Sequence, residues 1–238
     1  MNIALIGYGR MGHEVESAAL VRGHVIKVII DEINISDLKP ENFREVDVAI
    51  EFTVPHTAFT NITKCLKMGI PVVSGTTGWL HDYDKAAQIC RDCGTSFIHS
   101  SNFSIGMNIF FKLNSELARL MEPHDAYRPS VEEIHHVKKL DAPSGTAISL
   151  VNGISALHKK YKGWSAGDIP GENIIPIHSV REGTVHGTHI VTWDSETDSI
   201  MIRHEARNRK GFALGAVIAA EFISTRKGLF TMDDVLNF

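Results

Sequence analysis

The apolar run Asn2-Ile3-Ala4-Leu5-Ile6 leads directly into Gly7-Tyr8-Gly9-Arg10-Met11-Gly12, and a helical pattern follows to about Arg22. Few folds accept that order. The first glycine permits a tight turn after a strand, the second lets the backbone approach a pyrophosphate, and the third allows helix and strand to pack closely. A second apolar run, Val25-Ile26-Lys27-Val28-Ile29-Ile30, ends in Asp31, about twenty residues past Gly12, where an acid can accept hydrogen bonds from an adenosine ribose. The plainer alternative is a glycine turn and a solvated acid with no ligand. The first half of the chain therefore reads as a dinucleotide-binding Rossmann domain.

Strand patterns at 46–52, 71–74 and 96–99 alternate with helical patterns at 57–68 and 83–92, the arrangement of a parallel sheet whose ligands bind beyond the carboxyl ends of the strands. The residues there are small, hydroxylated or amide-bearing: Thr53, then Gly75-Thr76-Thr77-Gly78, then Ser100-Ser101-Asn102-Phe103. Such residues suit a ribose and nicotinamide, and taken singly they are ordinary turn chemistry.

Beyond a helix at 106–121 the pattern changes to long strands at 130–135, 174–181, 188–194 and 199–205, with a helix at 146–161 and an ordered loop at 164–172. This predicts an α+β domain with a mixed or antiparallel sheet. An apolar helix at 211–225 is expected to pack back on the first domain, giving 1–104 completed by 209–238 and a second domain at 105–208.

The second half also holds the densest chemistry. His135 and His136 follow a strand, Lys139 comes four residues after the first histidine, and Asp141-Ala142-Pro143-Ser144-Gly145-Thr146 leads through an extended approach into a helix. Imidazole and ammonium groups deliver protons near neutral pH, and exposed amides at a helix start attract a carboxylate or phosphate. The bland counterpart is a basic surface loop capping a helix.

Composition narrows the remaining classes. A net charge of -4 with 22% charged residues shows no basic excess for a nucleic-acid surface. No apolar run approaches membrane-spanning length, and the first residues lack the charged start of a secretory signal, so a cytoplasmic protein is expected. Cys65, Cys90 and Cys93 make an odd count that argues against a disulfide framework, and Cys90 with Cys93 fits a buried or half-buried helix face better than a zinc half-site. The 13 histidines show no metal-binding spacing, and no metal is expected.

With these motifs in order, above all His135-His136-Val137-Lys138-Lys139-Leu140-Asp141-Ala142-Pro143-Ser144-Gly145-Thr146, the chain resembles the 4-hydroxy-tetrahydrodipicolinate (dihydrodipicolinate) reductases of lysine and diaminopimelate biosynthesis. The stretches 166–171, 177–181 and 187–189 resemble the family too. The resemblance implies hydride transfer from NADH or NADPH to a cyclic dicarboxylate, a C-terminal domain that binds substrate, and a homotetramer. It also implies roles: His135 and Lys139 as proton donors, His136, Gly145 and Thr146 as substrate-binding residues. Gly7, Tyr8, Gly9, Arg10, Met11, Gly12, Asp31, Gly75, Thr76, Thr77, Ser100, Ser101, Asn102 and Phe103 would hold the nucleotide. Two departures stand out. Glu51 replaces the family's usual aspartate before Phe52-Thr53, with no loss of activity expected. Glu32 follows Asp31 where NADP-using members often carry arginine, which leans the cofactor toward NADH unless Lys27 or Lys39 reaches a 2′-phosphate. The rivals are a nucleotide-binding redox sensor, which has no need of the His135 to Lys139 cluster, and a semialdehyde dehydrogenase, which needs a nucleophilic cysteine.

Overall fold

The computed structural model describes residues 1–167 and 171–238. In chain order the elements are β1 (Asn2–Ile6), α1 (Arg10–Val21), β2 (Val25–Ile30), β3 (Val48–Glu51), α2 (Pro55–Lys67), β4 (Val72–Ser74), α3 (Tyr83–Asp92) and β5 (Ser96–His99). Then come α4 (Ile105–Met121), β6 (Arg128–His135), α5 (Gly145–Leu157), β7 (Gly163–Ala166), β8 (Ile174–Arg181), β9 (Thr188–Asp194) and β10 (Ser199–Glu205). The chain ends with α6 (Lys210–Ile223), β11 (Gly228–Phe230) and α7 (Met232–Leu236). Contacts divide these into one unit of Met1–Ile105 with Arg209–Phe238 and another of Gly106–Asn208.

The first unit is a six-stranded sheet in the order β11-β5-β4-β3-β1-β2 with every pair parallel. Successive side chains of β1 point to opposite faces. Ala4 and Ile6 join a core with Ile62, Leu66, Trp79 and Cys90 under α2 and α3, while Ile3 and Leu5 join Val15, Ala19, Val217 and Ile223 under α1 and α6. Two buried faces explain why these strands read as continuous apolar runs. The strand order reverses between β1 and β3, on either side of the glycine turn, which puts that turn at a switch point of the sheet.

The second unit is a five-stranded mixed sheet, β10-β9-β6-β8-β7, in which β6 runs antiparallel to β9 and parallel to β8. One face is packed by α4 and α5 through Val131, Ile175, Ile177, Val191 and Trp193 against Phe110, Leu150 and Ile154.

Two expectations need correction, and two short elements had no counterpart among them. The helix predicted to reach Tyr161 stops at Leu157, because His158 turns to extended backbone and buries its ring in a stack with Trp193. Part of the predicted loop is strand β7, paired in parallel with β8; Asp168, Ile169 and Pro170, in the stretch 166–171, lie outside the described residues. Three-residue β11 and five-residue α7 were too short to show a period, although Thr231 and Asp234 form a capping box that marks the latter.

Candidate active site

In the first unit the three glycines of the turn have separate structural reasons. Gly7 has φ +94, and a Cβ there would lie 2.1 Å from the Phe52 carbonyl oxygen; a Cβ on Gly12 would lie 2.5 Å from the Gly7 oxygen. Gly9 meets nothing within 4 Å. It is also the N-cap of α1, without a side-chain cap and with no acid in the first turn, so the helix start keeps bare amides and its positive end for an anion. A cavity of about 590 Å³ opens over this turn, lined by Gly7, Tyr8, Gly9, Asp31, Glu32, Thr53 and their neighbours. The uncluttered backbone at Gly9 and the carboxylate of Asp31 in one cavity fit a dinucleotide.

Tyr8 donates its hydroxyl to Glu16 and rests against His13, Arg10 is exposed, and Met11 packs on the core. Asp31 caps the turn that follows β2, with Oδ1 accepting the Glu32 amide at 2.8 Å. Lys27 is paired with Glu45 at 2.7 Å and Lys39 lies 3.9 Å from Asp37; neither lines the cavity.

Gly75, Thr76, Thr77 and Ser100 to Phe103 lie at the ends of β4 and β5, outside that cavity. Gly75 is crowded by the Phe52 ring, 2.0 Å from where a Cβ would stand. The Thr76 hydroxyl is taken up by Glu51 at 2.7 Å and by the Thr53 amide at 2.7 Å. Thr77 and Ser101 are exposed, Ser100 bonds the backbone of Asn102, and Phe103 is buried, its carbonyl packed against Gly215. Glu51, which is 1% exposed, also accepts Ser74 at 2.6 Å and both donors of Thr53.

In the second unit the sheet register assembles the chemistry. Glu133 and His135 share the buried face of β6; across β8 they meet Ser179 and Arg181, and across β9 Glu133 meets His189. Glu133 Oε1 accepts the Ser144 amide at 3.0 Å, the Ser179 hydroxyl at 2.8 Å and the Arg181 guanidinium at 3.1 Å. Its Oε2 lies 3.3 Å from His135 Nδ1 and 3.9 Å from His189 Nε2. Burial opposes ionisation of Glu133, but donors from His135, Ser144, Ser179 and Arg181 outweigh it and hold the carboxyl far below the usual range. Burial, reinforced by the nearby His135, pushes His189 down to about 3.

Ser144 is the N-cap of α5, its hydroxyl accepting the Ala147 amide at 3.2 Å. Gly145 and Thr146 are the first helical residues, so their amides have no intrahelical carbonyl. The preceding Ala142–Pro143 peptide is cis, and Ser144 has extended backbone. Lys139 reaches Asp141 at 2.8 and 2.9 Å, and His136 is half-buried. Sequence reasoning gave no role to Glu133, Ser179, Arg181 or His189. Only the two-residue spacing of Glu133 and His135 on a strand could have signalled the first of them.

Glu133, His135 and His189 bring ligand-type atoms within 4.8 Å of one another. Arg181 already neutralises the carboxylate, so we read a carboxylate–imidazole pair rather than a metal centre. Cys65 and Cys90 are buried, and burial pushes their thiols up to about 12 and about 11, which is unsuited to a nucleophile.

A parallel sheet with a glycine turn at its switch point, joined to a second unit that buries Glu133, His135 and His189 together, is the frame of an NAD(P)H-dependent oxidoreductase. More narrowly, the chain belongs to the dihydrodipicolinate reductase family: residues 1–103 match the family's N-terminal profile and residues 106–236 its C-terminal one. It is 52% identical over 238 residues to the 4-hydroxy-tetrahydrodipicolinate reductase of Christiangramia forsetii, covering 100% of this chain and 98% of the relative. The enzyme of that name from Methanosarcina barkeri is 36% identical over 86% of this chain and 80% of its own. Among solved structures, dipicolinate-bound dihydrodipicolinate reductase from Paenisporosarcina sp. TG-14 shares the fold, with TM-score 0.78 over 97% of each chain at 24% identity. Among the described residues no helix is long and apolar enough to cross a membrane.

Proposed function

We propose that this chain reduces 4-hydroxy-tetrahydrodipicolinate to tetrahydrodipicolinate with NAD(P)H. The observation that carries this reading is the sharing of Glu133 by a buried imidazole, His135, and by the open helix start at Ser144. Proton donor and anion site are thereby built from one carboxylate. Full-length kinship with reductases of that name supports the choice of substrate.

The reaction takes up one hydride and one proton and releases the 4-hydroxyl as water. A bound reduced nicotinamide supplies the hydride. The Gly7 to Gly12 turn, with Tyr8, Gly9, Arg10 and Met11 around the helix start, holds the pyrophosphate, and Asp31 accepts the ribose hydroxyls. Gly75 to Thr77 and Ser100 to Phe103 offer backbone groups at the strand ends, Thr76 through its backbone alone since its hydroxyl is committed. The Gly145 and Thr146 amides and His136 hold the substrate's carboxylates. His135 gives the proton from Nε2 to ring carbon, and Lys139, released from Asp141, gives a second to the departing 4-hydroxyl, which leaves as water while the neighbouring ring carbon releases one proton, so the net uptake is one. Orientation and exclusion of water raise the efficiency of both transfers.

NADH is the preferred donor in this reading, because Glu32 follows Asp31, and Lys27 and Lys39 are paired with Glu45 and Asp37 and do not line the cavity. A cytoplasmic homotetramer is its expected form, tested by sedimentation. The activity is tested by following NADH absorbance when the product of the preceding aldol condensation is supplied. Steady consumption is expected; none by well-folded protein overturns the reading.

A further inference from the structure

We infer that Glu133 is a positioning residue for the proton transfer: it fixes the orientation and tautomer of His135 while locking that ring to the start of α5. The inference rests on the proton-donor role of His135 proposed above.

Both oxygens of the carboxylate have distinct work. Oε1 is saturated by Ser144, Ser179 and Arg181. That leaves Oε2, fully buried and with no aligned hydrogen bond of its own, facing His135 Nδ1 at 3.3 Å. Nδ1 is likewise buried and otherwise unpartnered. The contact lies off the line of the ring N–H, as such bonds often do before substrate tightens a site. A charged acceptor beside Nδ1 favours the Nδ1–H form and directs Nε2 to the opposite side. There it meets Gly187, where even a Cβ would stand 3.1 Å from Nε2. Glycine thus leaves the donating nitrogen unobstructed by a side chain.

The surrounding charges agree with this division. Arg181 from β8 balances the carboxylate, and His189 from β9, kept neutral by burial, closes the edge of the ring with centroids 5.1 Å apart. Lys139 and Asp141, in the connection to α5, pair with each other. Among the described residues Glu133 is therefore the one anion at Nδ1, and it holds the ring in the orientation from which the proton is given. The same carboxylate holds the Ser144 amide, so a shift of the helix start and a shift of the ring are mechanically one event.

The test combines kinetics with a spectroscopic readout. In the unaltered protein, ¹⁵N-histidine NMR should show neutral His135 as the Nδ1–H tautomer, and in Glu133→Gln a mixture of both. Turnover of Glu133→Gln should fall about tenfold or more with substrate KM within about threefold, and Glu133→Gln added to His135→Gln should cost almost nothing further. An Nε2–H tautomer in the unaltered protein, or losses that multiply in the double variant, overturns the inference. If Glu133→Gln fails to fold, the tautomer of the unaltered protein decides. Unchanged turnover in His135→Gln alone refutes the proton-donor role instead, a separate result from the tautomer.

Discussion

The Thr76 hydroxyl donates to Glu51 Oε1 at 2.7 Å and accepts the Thr53 amide at the same distance, joining the end of β3 to the turn after β4. Glu51 also accepts Ser74, so one buried side chain holds two strand ends in register. Replacing it with alanine strands several buried donors. Glu51→Ala should lower the unfolding free energy of the first unit by about 3 kcal/mol, read by hydrogen exchange of β3 and β4 amides. Protection equal to the unaltered protein would contradict this.

The glycines of the turn should separate by phenotype. Gly7→Ala places a Cβ against the Phe52 carbonyl and strains a positive φ, so it should lower both thermal stability and NADH affinity. Gly9→Ala meets nothing in the free protein and should leave the melting temperature unchanged while weakening NADH about tenfold or more. Calorimetry and fluorescence titration distinguish the two.

Asp31 and Glu32 are expected to set nucleotide preference. Asp31→Ser combined with Glu32→Arg should shift the ratio of specificity constants at least about tenfold toward NADPH. A larger specificity constant with NADPH in the unaltered enzyme would refute the preference for NADH.

His135→Gln keeps the ring's approximate size without a titrating nitrogen. Turnover should fall by about 10²- to 10⁴-fold with the fold intact, measured by steady-state NADH consumption and circular dichroism.

Stability of the second unit should depend on acid in a defined window. His189, pushed down to about 3 in the folded protein, takes up its proton near pH 6.5 when unfolded. Between about 6.5 and about 3 the unfolded state therefore binds more protons, and stability falls as pH falls. Glu133 acts in the same sense at the lower end: its folded pKa is depressed, so its contribution is present above the ordinary carboxylate range and lost below it. From about pH 7 to about pH 4 the loss should reach about 3–4 kcal/mol. Urea unfolding followed by exchange of β6 and β9 amides measures it, and His189→Gln should flatten the slope.

Much of the first unit was legible because its signals are local. A glycine turn between an apolar strand and a helix, and Asp31 at the end of the next strand, are statements about neighbours in sequence. The second unit's cluster is different. Glu133 meets Ser179, Arg181 and His189 only through the pairing of β6 with β8 and β9, and no periodicity within one segment specifies which strands will pair. The same holds for β11, whose Gly228-Leu229-Phe230 acquires its strand character from β5. His158 falls within a helical pattern because apolar spacing continues past Leu157, whereas its stack on Trp193 ends the helix.

The closing of the first unit's sheet by β11, and of its core by α6, has a bearing on synthesis. Residues 209–238 supply those pieces, so the nucleotide-binding half stays incomplete until that segment has left the ribosome. The middle segment emerges entire before that moment, and it is free to fold first although its sequence comes second.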